Sequence, residues 1–537
     1  MRNLLTLALG CALVSCIQTQ DADLVVHNAL IYTVDENFTT GQAMAVRDGR
    51  ILEVGAEREI LNRYSAAEKY DARTMVIYPG FIDAHSHFMG YARSKADLAL
   101  AGIDSPRAMA LAAAAFAEKS DREWVTGRGW DQNLWPGSQF PDRALLDSLL
   151  PDRPVLLRRT DGHAALVNAA AMKKAGLTAE TKVPGGEVVL DSEGVPTGLL
   201  IDRAVDRVAR FIPPVSDAQL VKLLKEAEAD CFAAGLTTVS DAGISVKEAL
   251  FLDSLQQAGE LTIRIYAFLR PDDATKAQMR KGPILTERLT ARSVKLYGDG
   301  AMGSRGALLK EPYSDDEGNY GLLLTPVEEI DEWAEACLNY GFQLNTHCIG
   351  DSANALVLLR YARHLEGMND LRWRIEHAQT VSPDDRTYFA DYGIIPSVQP
   401  IHAVSDGGWV AERLGEDRMP HAYAYESLRN TLGILALGTD FPVEGISPLE
   451  NFRAAVFRNS ENAPTPFQPE EALTPEHALR GMTIWAALAS FEDKEKGSLE
   501  QGKHADFVLL NRDLMKVGSA DAGSVRVMDT WVSGVRK

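Results

Sequence analysis

Between about residues 74 and 440 the chain alternates short apolar runs with longer helix-like stretches, and this alternation constrains its fold more than any other feature. The apolar runs lie at 74–78, 236–240, 293–297, 342–346, 373–376, 394–398 and 434–438. Helix-like stretches separate them, for example at 217–234 and 326–340. Strands this apolar are those of a parallel sheet covered on both faces. About eight of them over about 370 residues predict an α/β protein, a (β/α)8 TIM-type barrel with an insertion. The second strand has no clear run of its own and is expected within 88–160. The stretch of about 104–230 exceeds what one βα unit needs, so it reads as the insertion. It carries Gly127-Arg128-Gly129-Trp130-Asp131 and Pro184-Gly185-Gly186-Glu187.

Both ends have a different texture. Residues 24–56 read as short strands split by turn residues such as Asp48-Gly49, and 505–510 and 525–532 repeat the pattern. A composite β-sandwich from 16–74 and 485–537 is expected, flanking a barrel at 75–484. The leader has Arg2 followed by an apolar run from Leu4 to Val14, too short to span a bilayer and suited to a signal peptide over 1–15. Leu13-Val14-Ser15-Cys16 resembles a bacterial lipobox, which implies cleavage before Cys16 and lipid on its thiol. The expected location is the bacterial cell envelope, with the membrane reached through that N-terminal lipid anchor. Of the remaining cysteines, Cys231, Cys337 and Cys348 are no disulfide framework, although one bridge among them is compatible with such a compartment. With 55 Lys plus Arg against 75 Asp plus Glu, the net charge of −20 argues against nucleic acid as a partner.

The chemistry-bearing residues cluster at the ends of the apolar runs. Pro79-Gly80-Phe81-Ile82-Asp83-Ala84-His85-Ser86-His87 puts two histidines at i and i+2, on one side of an extended segment. Imidazole is the commonest protein ligand for transition metals. Lys295 sits inside an apolar strand, where burial lowers an amine's pKa and frees it for covalent chemistry. His347, His377 and Asp440 each end a further run. In a barrel those ends converge on one face, where active sites lie.

This set resembles the amidohydrolase superfamily of metal-dependent hydrolases. Gly127 to Trp135, Asp161-Gly162-His163-Ala164-Ala165-Leu166-Val167-Asn168, Lys295 to Gly300 and Gly438 to Pro442 point to the branch that includes N-substituted formamide deformylases. The resemblance implies that His85, His87 and Asp440 bind one metal and His347 and His377 a second. It implies that Lys295, carboxylated by CO2, bridges the two divalent ions, because a bare ammonium has no acceptor. Zinc suits imidazole-rich ligation best, with iron, manganese and nickel also compatible. The implied reaction is hydrolysis of a C–N bond, amide or N-acyl, in a small molecule. A metal-bridging hydroxide attacks and Asp440 shuttles the proton. The same site could cleave esters, lactones or phosphoesters, and a solute-binding lipoprotein on this scaffold is a further alternative.

Other residues are candidates for substrate contact. They are Arg159 and His163 near Asp161, His402 after the seventh strand, and Trp130 with Trp135 as an apolar wall or as core. Asp299 and Arg305 are expected either to brace Lys295 or to meet substrate.

Overall fold

The computed structural model describes residues 19–213 and 215–537. The leader and Cys16 lie outside the described residues. Eight parallel strands form the barrel: β1 (Phe81–Ser86), β2 (Leu236–Ile244), β3 (Arg264–Leu269), β4 (Leu289–Tyr297), β5 (Gln343–Cys348), β6 (Arg374–His377), β7 (Ile395–Val398) and β8 (Ala436–Leu437). They pair in that order. The ring closes just beyond β8, where Asp440 N donates to His85 O and His87 N donates to Phe441 O, both at 2.8 Å. Gly438 permits this approach. A Cβ there would stand 2.5 Å from His85 N and 2.8 Å from His85 O.

The strand missing from the sequence reading is the third, not the second. The run at 236–240 is β2, and β3 is Arg264–Leu269, outside the runs the apolar periodicity marks. The run at 74–78 belongs to another sheet, as Val76–Pro79. The reason is local. β3 reads Arg264-Ile-Tyr-Ala-Phe-Leu, an apolar run opened by an arginine, and it follows a helix that is itself apolar on one face.

Helix logic is clear elsewhere. Val327–Tyr340 buries Ile330, Trp333, Ala334 and Cys337, one stripe at helical spacing, and ends at Gly341 in the left-handed region. That stop turns the chain directly into β5.

Two further units flank the barrel. In one, Val76–Pro79 pairs with Phe507–Leu510 and Leu30–Tyr32, so strands from both ends of the chain share one sheet. A four-stranded sheet of Gln20–His27, Ala43–Arg47, Arg50–Gly55 and Tyr64–Asp71 packs on it through Val26, Met44, Ile77, Phe507 and Trp531. This is the composite β-sandwich. It is tied to the barrel by a buried ion pair, in which Arg264 Nε donates to Asp506 Oδ2 at 2.7 Å.

The other unit lies between β1 and β2. Its six strands run from Leu98–Ala99 to Pro196–Asp202, with apolar layers on both faces. The helix Asp217–Ala233 that follows packs against Phe88–Ser94 and so belongs to the barrel wall. Cys231, Cys337 and Cys348 are buried free thiols. No helix among the described residues is long and apolar enough to cross a membrane.

Candidate active site

The C-terminal ends of the barrel strands and the insertion enclose a cavity of about 1020 Å³. His85, His87, Lys295, His347, His377 and Asp440 all line it. One ligand atom each from His85, His377 and Asp440 lies within 4.8 Å of the others. Around this triad, His87 Nε2 stands 3.1 Å from Asp440 Oδ1, and Lys295 Nζ stands 3.3 Å from His85 Nε2. The His347 ring centroid is 4.5 Å from that of His377. His377 and Asp440 both have positive φ, 72° and 62°. Non-glycine residues held there are strained, and such strain gathers at functional sites.

Two of the imidazoles are held by partners that the motif itself did not reveal. His85 Nδ1 meets Glu376 Oε2 at 2.5 Å, with both side chains fully buried. His377 Nδ1 meets Gln399 Oε1 at 2.6 Å. These contacts leave the opposite ring nitrogens facing the cavity, the arrangement that orients metal-ligating histidines. Glu376 was legible as an acid inside an apolar strand beside His377, which is costly unless paired. Gln399 carried no such signal.

Electrostatics favour the ligand-competent states. Burial, then the nearby Lys295 charge, push His85 down to about 4. Burial also holds His347 and His377 well below the ordinary imidazole range. Burial lowers the Lys295 amine to about 8. Burial opposes ionisation of Asp440, yet His87, His85 and His377 hold its carboxyl well below the usual carboxylate range. Neutral imidazoles offer lone pairs, and a carboxylate offers charge. Asp440 Oδ1 is buried without a hydrogen-bond partner, as is His402 Nε2. A carboxylate oxygen in contact with imidazole nitrogens but without a well-formed hydrogen bond is the donor set a transition metal takes, so these residues fit a metal site.

The remaining expectations divide. His402 reaches the cavity, with Nε2 3.8 Å from Asp440 Oδ2 and its ring stacked on His377. His163 also lines it, its Nδ1 bonded to Asp202 Oδ1 at 2.6 Å. Arg159 lines the cavity, but each of its three nitrogens already donates to Gln132, Asp161 or Asp131. Trp130 is a correction. It is fully buried in the insertion core, with Nε1 donating to Leu157 O, so it walls no substrate space. Asp299 and Arg305 are also corrected. Asp299 accepts from the backbone of Leu308, Ile349 and Gly350, and Arg305 pairs with Asp315, so neither braces Lys295. The sequence reading missed Arg128 and Trp409, which line the cavity as well.

Comparison with known proteins agrees with this architecture. The protein LONG AFTER FAR-RED 3 of Arabidopsis thaliana is 34% identical over 532 residues, covering 96% of this chain and 91% of that protein. The N-substituted formamide deformylase of Arthrobacter pascens is 29% identical over 540 residues, covering 96% of this chain and 98% of that enzyme. An uncharacterized metal-dependent hydrolase from Pyrococcus horikoshii superposes with a TM-score of 0.76 at 26% identity, covering 93% of this chain and 99% of its own. The model of the amidohydrolase family matches residues 68–536, and the chain belongs to that family.

Proposed function

We propose that the protein is a metal-dependent hydrolase that cleaves an amide or N-acyl C–N bond in a small molecule. The observation that carries this reading is the convergence of four imidazoles, Lys295 and Asp440 on one cavity at the C-terminal rim of the barrel. The name of the Arthrobacter pascens relative, a formamide deformylase, supports the amide class.

His85, His87 and Asp440 would hold one divalent ion, and His347 and His377 a second. Lys295, as the neutral amine, would add to CO2, release a proton and bridge them as a carbamate. Zinc is the preferred metal. When bound, the ions supply Lewis acidity toward the carbonyl oxygen and lower the pKa of water at the site. The chain's own residues do the rest. Asp440 accepts the proton of the attacking water and passes it to the leaving nitrogen, help worth roughly 10²–10⁴-fold. Glu376 and Gln399 fix the rings of His85 and His377. Residues of the insertion form part of the cavity wall, and His163 and His402 face the substrate space.

Metal content by elemental analysis, with a panel of amides and matched esters, tests the proposal. Two ions per chain and turnover of amides are expected. No metal after reconstitution, or turnover of esters alone, would sink it. We also propose an envelope location through lipid on Cys16, on the lipobox-like run alone. Failure of a labelled fatty acid to enter the wild type, as it must fail in Cys16→Ala, would exclude it.

A further inference from the structure

The insertion motif Gly127-Arg128-Gly129 brings a guanidinium into the cavity wall, and although Asp440, Asp161 and Asp97 lie near enough to favour its charge, none of them pairs with it directly. Among the described residues Arg128 forms no ion pair, and its one side-chain hydrogen bond runs from Nη2 to Thr160 O at 2.8 Å. Its Nε is sealed from solvent without a partner. Neighbouring arginines are neutralised: Arg159 by Asp131 and Asp161, Arg413 by Asp315. Arg128 is also opposed in strand register by Arg158, which likewise forms no ion pair. Like charges side by side on one sheet face are destabilising, and a desolvated cation without a partner is more so. The room for this arrangement is built in. A Cβ on Gly162, whose φ is +78°, would stand 3.2 Å from Arg128 Nη2 and 3.4 Å from Nη1, so the guanidinium lies flat against the missing side chain.

A planar guanidinium with open donors facing a substrate cavity is the natural receptor for a carboxylate, through two parallel charge-assisted hydrogen bonds. Arg159 is a poorer receptor, because two carboxylates, Asp131 and Asp161, already pair with its guanidinium. We propose that Arg128, backed by the charge of Arg158, binds a carboxylate on the substrate, so that the preferred substrates are N-acyl compounds bearing a carboxylate away from the scissile bond. This rests on the amide-hydrolase reading and extends it to a substrate class.

The test uses metal-loaded protein and the N-formyl and N-acetyl derivatives of glycine, β-alanine and 4-aminobutyrate, each against its neutral carboxamide. The wild type is expected to favour at least one acid over its carboxamide by about 10–100-fold in kcat/KM, carried mainly by KM. Arg128→Gln should collapse that ratio toward one, and Arg128→Lys should restore part of it. In parallel, calorimetry measures binding of the product pair 4-aminobutyrate and 4-aminobutanamide, with inorganic phosphate as a third probe. The acid's advantage should be present in the wild type and lost in Arg128→Gln, which separates Arg128 from direct metal–carboxylate contact.

Equal treatment of acids and carboxamides by the wild type would overturn the proposal, as would an acid preference surviving in Arg128→Gln. Tight phosphate binding without carboxylate binding would also overturn it, by assigning the site to a phosphoryl group. Should Arg128→Gln fail to fold, the wild-type binding pair and Arg128→Lys still decide. If no amide is turned over at all, the hydrolase reading fails while calorimetry continues to report on Arg128.

Discussion

Substitution of Gly438 by alanine isolates how closely the barrel must close for the site to exist. An added Cβ would lie 2.5 Å from His85 N, 2.7 Å from Asp83 Oδ1 and 2.8 Å from His85 O. Two of these three atoms are backbone and cannot rotate away. An ordinary contact begins near 3.4 Å, so β1 and the end of β8 must part by roughly 1 Å. The parting falls between His85 and Asp440, whose ligand atoms otherwise lie within 4.8 Å of each other. A 1 Å misplacement at a reacting centre costs about 10²-fold, and overpacking a strand seam costs about 1–3 kcal/mol. The expected result is a folded protein with a lower thermal midpoint, substoichiometric metal and kcat/KM down about 100-fold on whichever amide the wild type turns over best. Gly518→Ala, where an added methyl meets nothing within 4 Å, is the control and should resemble the wild type. Full metal content and full turnover in Gly438→Ala would refute the view that closure of β1 on β8 sets the site geometry.

Four further outcomes are expected. Glu376→Gln removes the charge that orients His85, and metal affinity measured by competition with a chelator should fall about 10–100-fold. Asp440→Asn should keep the fold by circular dichroism and lose roughly 10²–10⁴-fold in turnover, and full activity with metal intact would disprove its role as proton carrier. Asp506→Asn leaves Arg264 as a buried unpaired cation and should cost about 3–5 kcal/mol in urea unfolding, with native-like stability the contrary result. Stability should also fall on acidification between about pH 6.5 and 4. Burial pushes His504 down to about 4, so below pH 6.5 the unfolded chain binds a proton that the folded chain refuses. Urea midpoints at pH 7, 5.5 and 4.5 in wild type and His504→Asn would show this, and identical pH slopes would reject it.

Much of the fold was legible because parallel barrel strands, covered on both faces, must be nearly continuous in apolar residues. His85, His87, Lys295, His347, His377 and Asp440 stood out because polar residues are costly at the ends of such runs and persist there for a reason. β3 escaped notice because an apolar run of six that opens with a buried arginine, paired to Asp506 242 positions away, does not look different from the helix before it. Trp130 was ambiguous for a similar reason, since an aromatic near a glycine turn suits a core or a pocket wall equally, and only burial separates them.

The sequence by itself determined the periodicities, hence the barrel and the β-rich ends, and the chemical identity of the candidate ligands, because both are written in residue type and spacing. Tertiary structure alone decided which groups face one another: Glu376 behind His85, Gln399 behind His377, Arg159 neutralised and Arg128 left open. Those pairings join residues up to 291 positions apart, and whether a charge is satisfied depends on distances that no local pattern encodes.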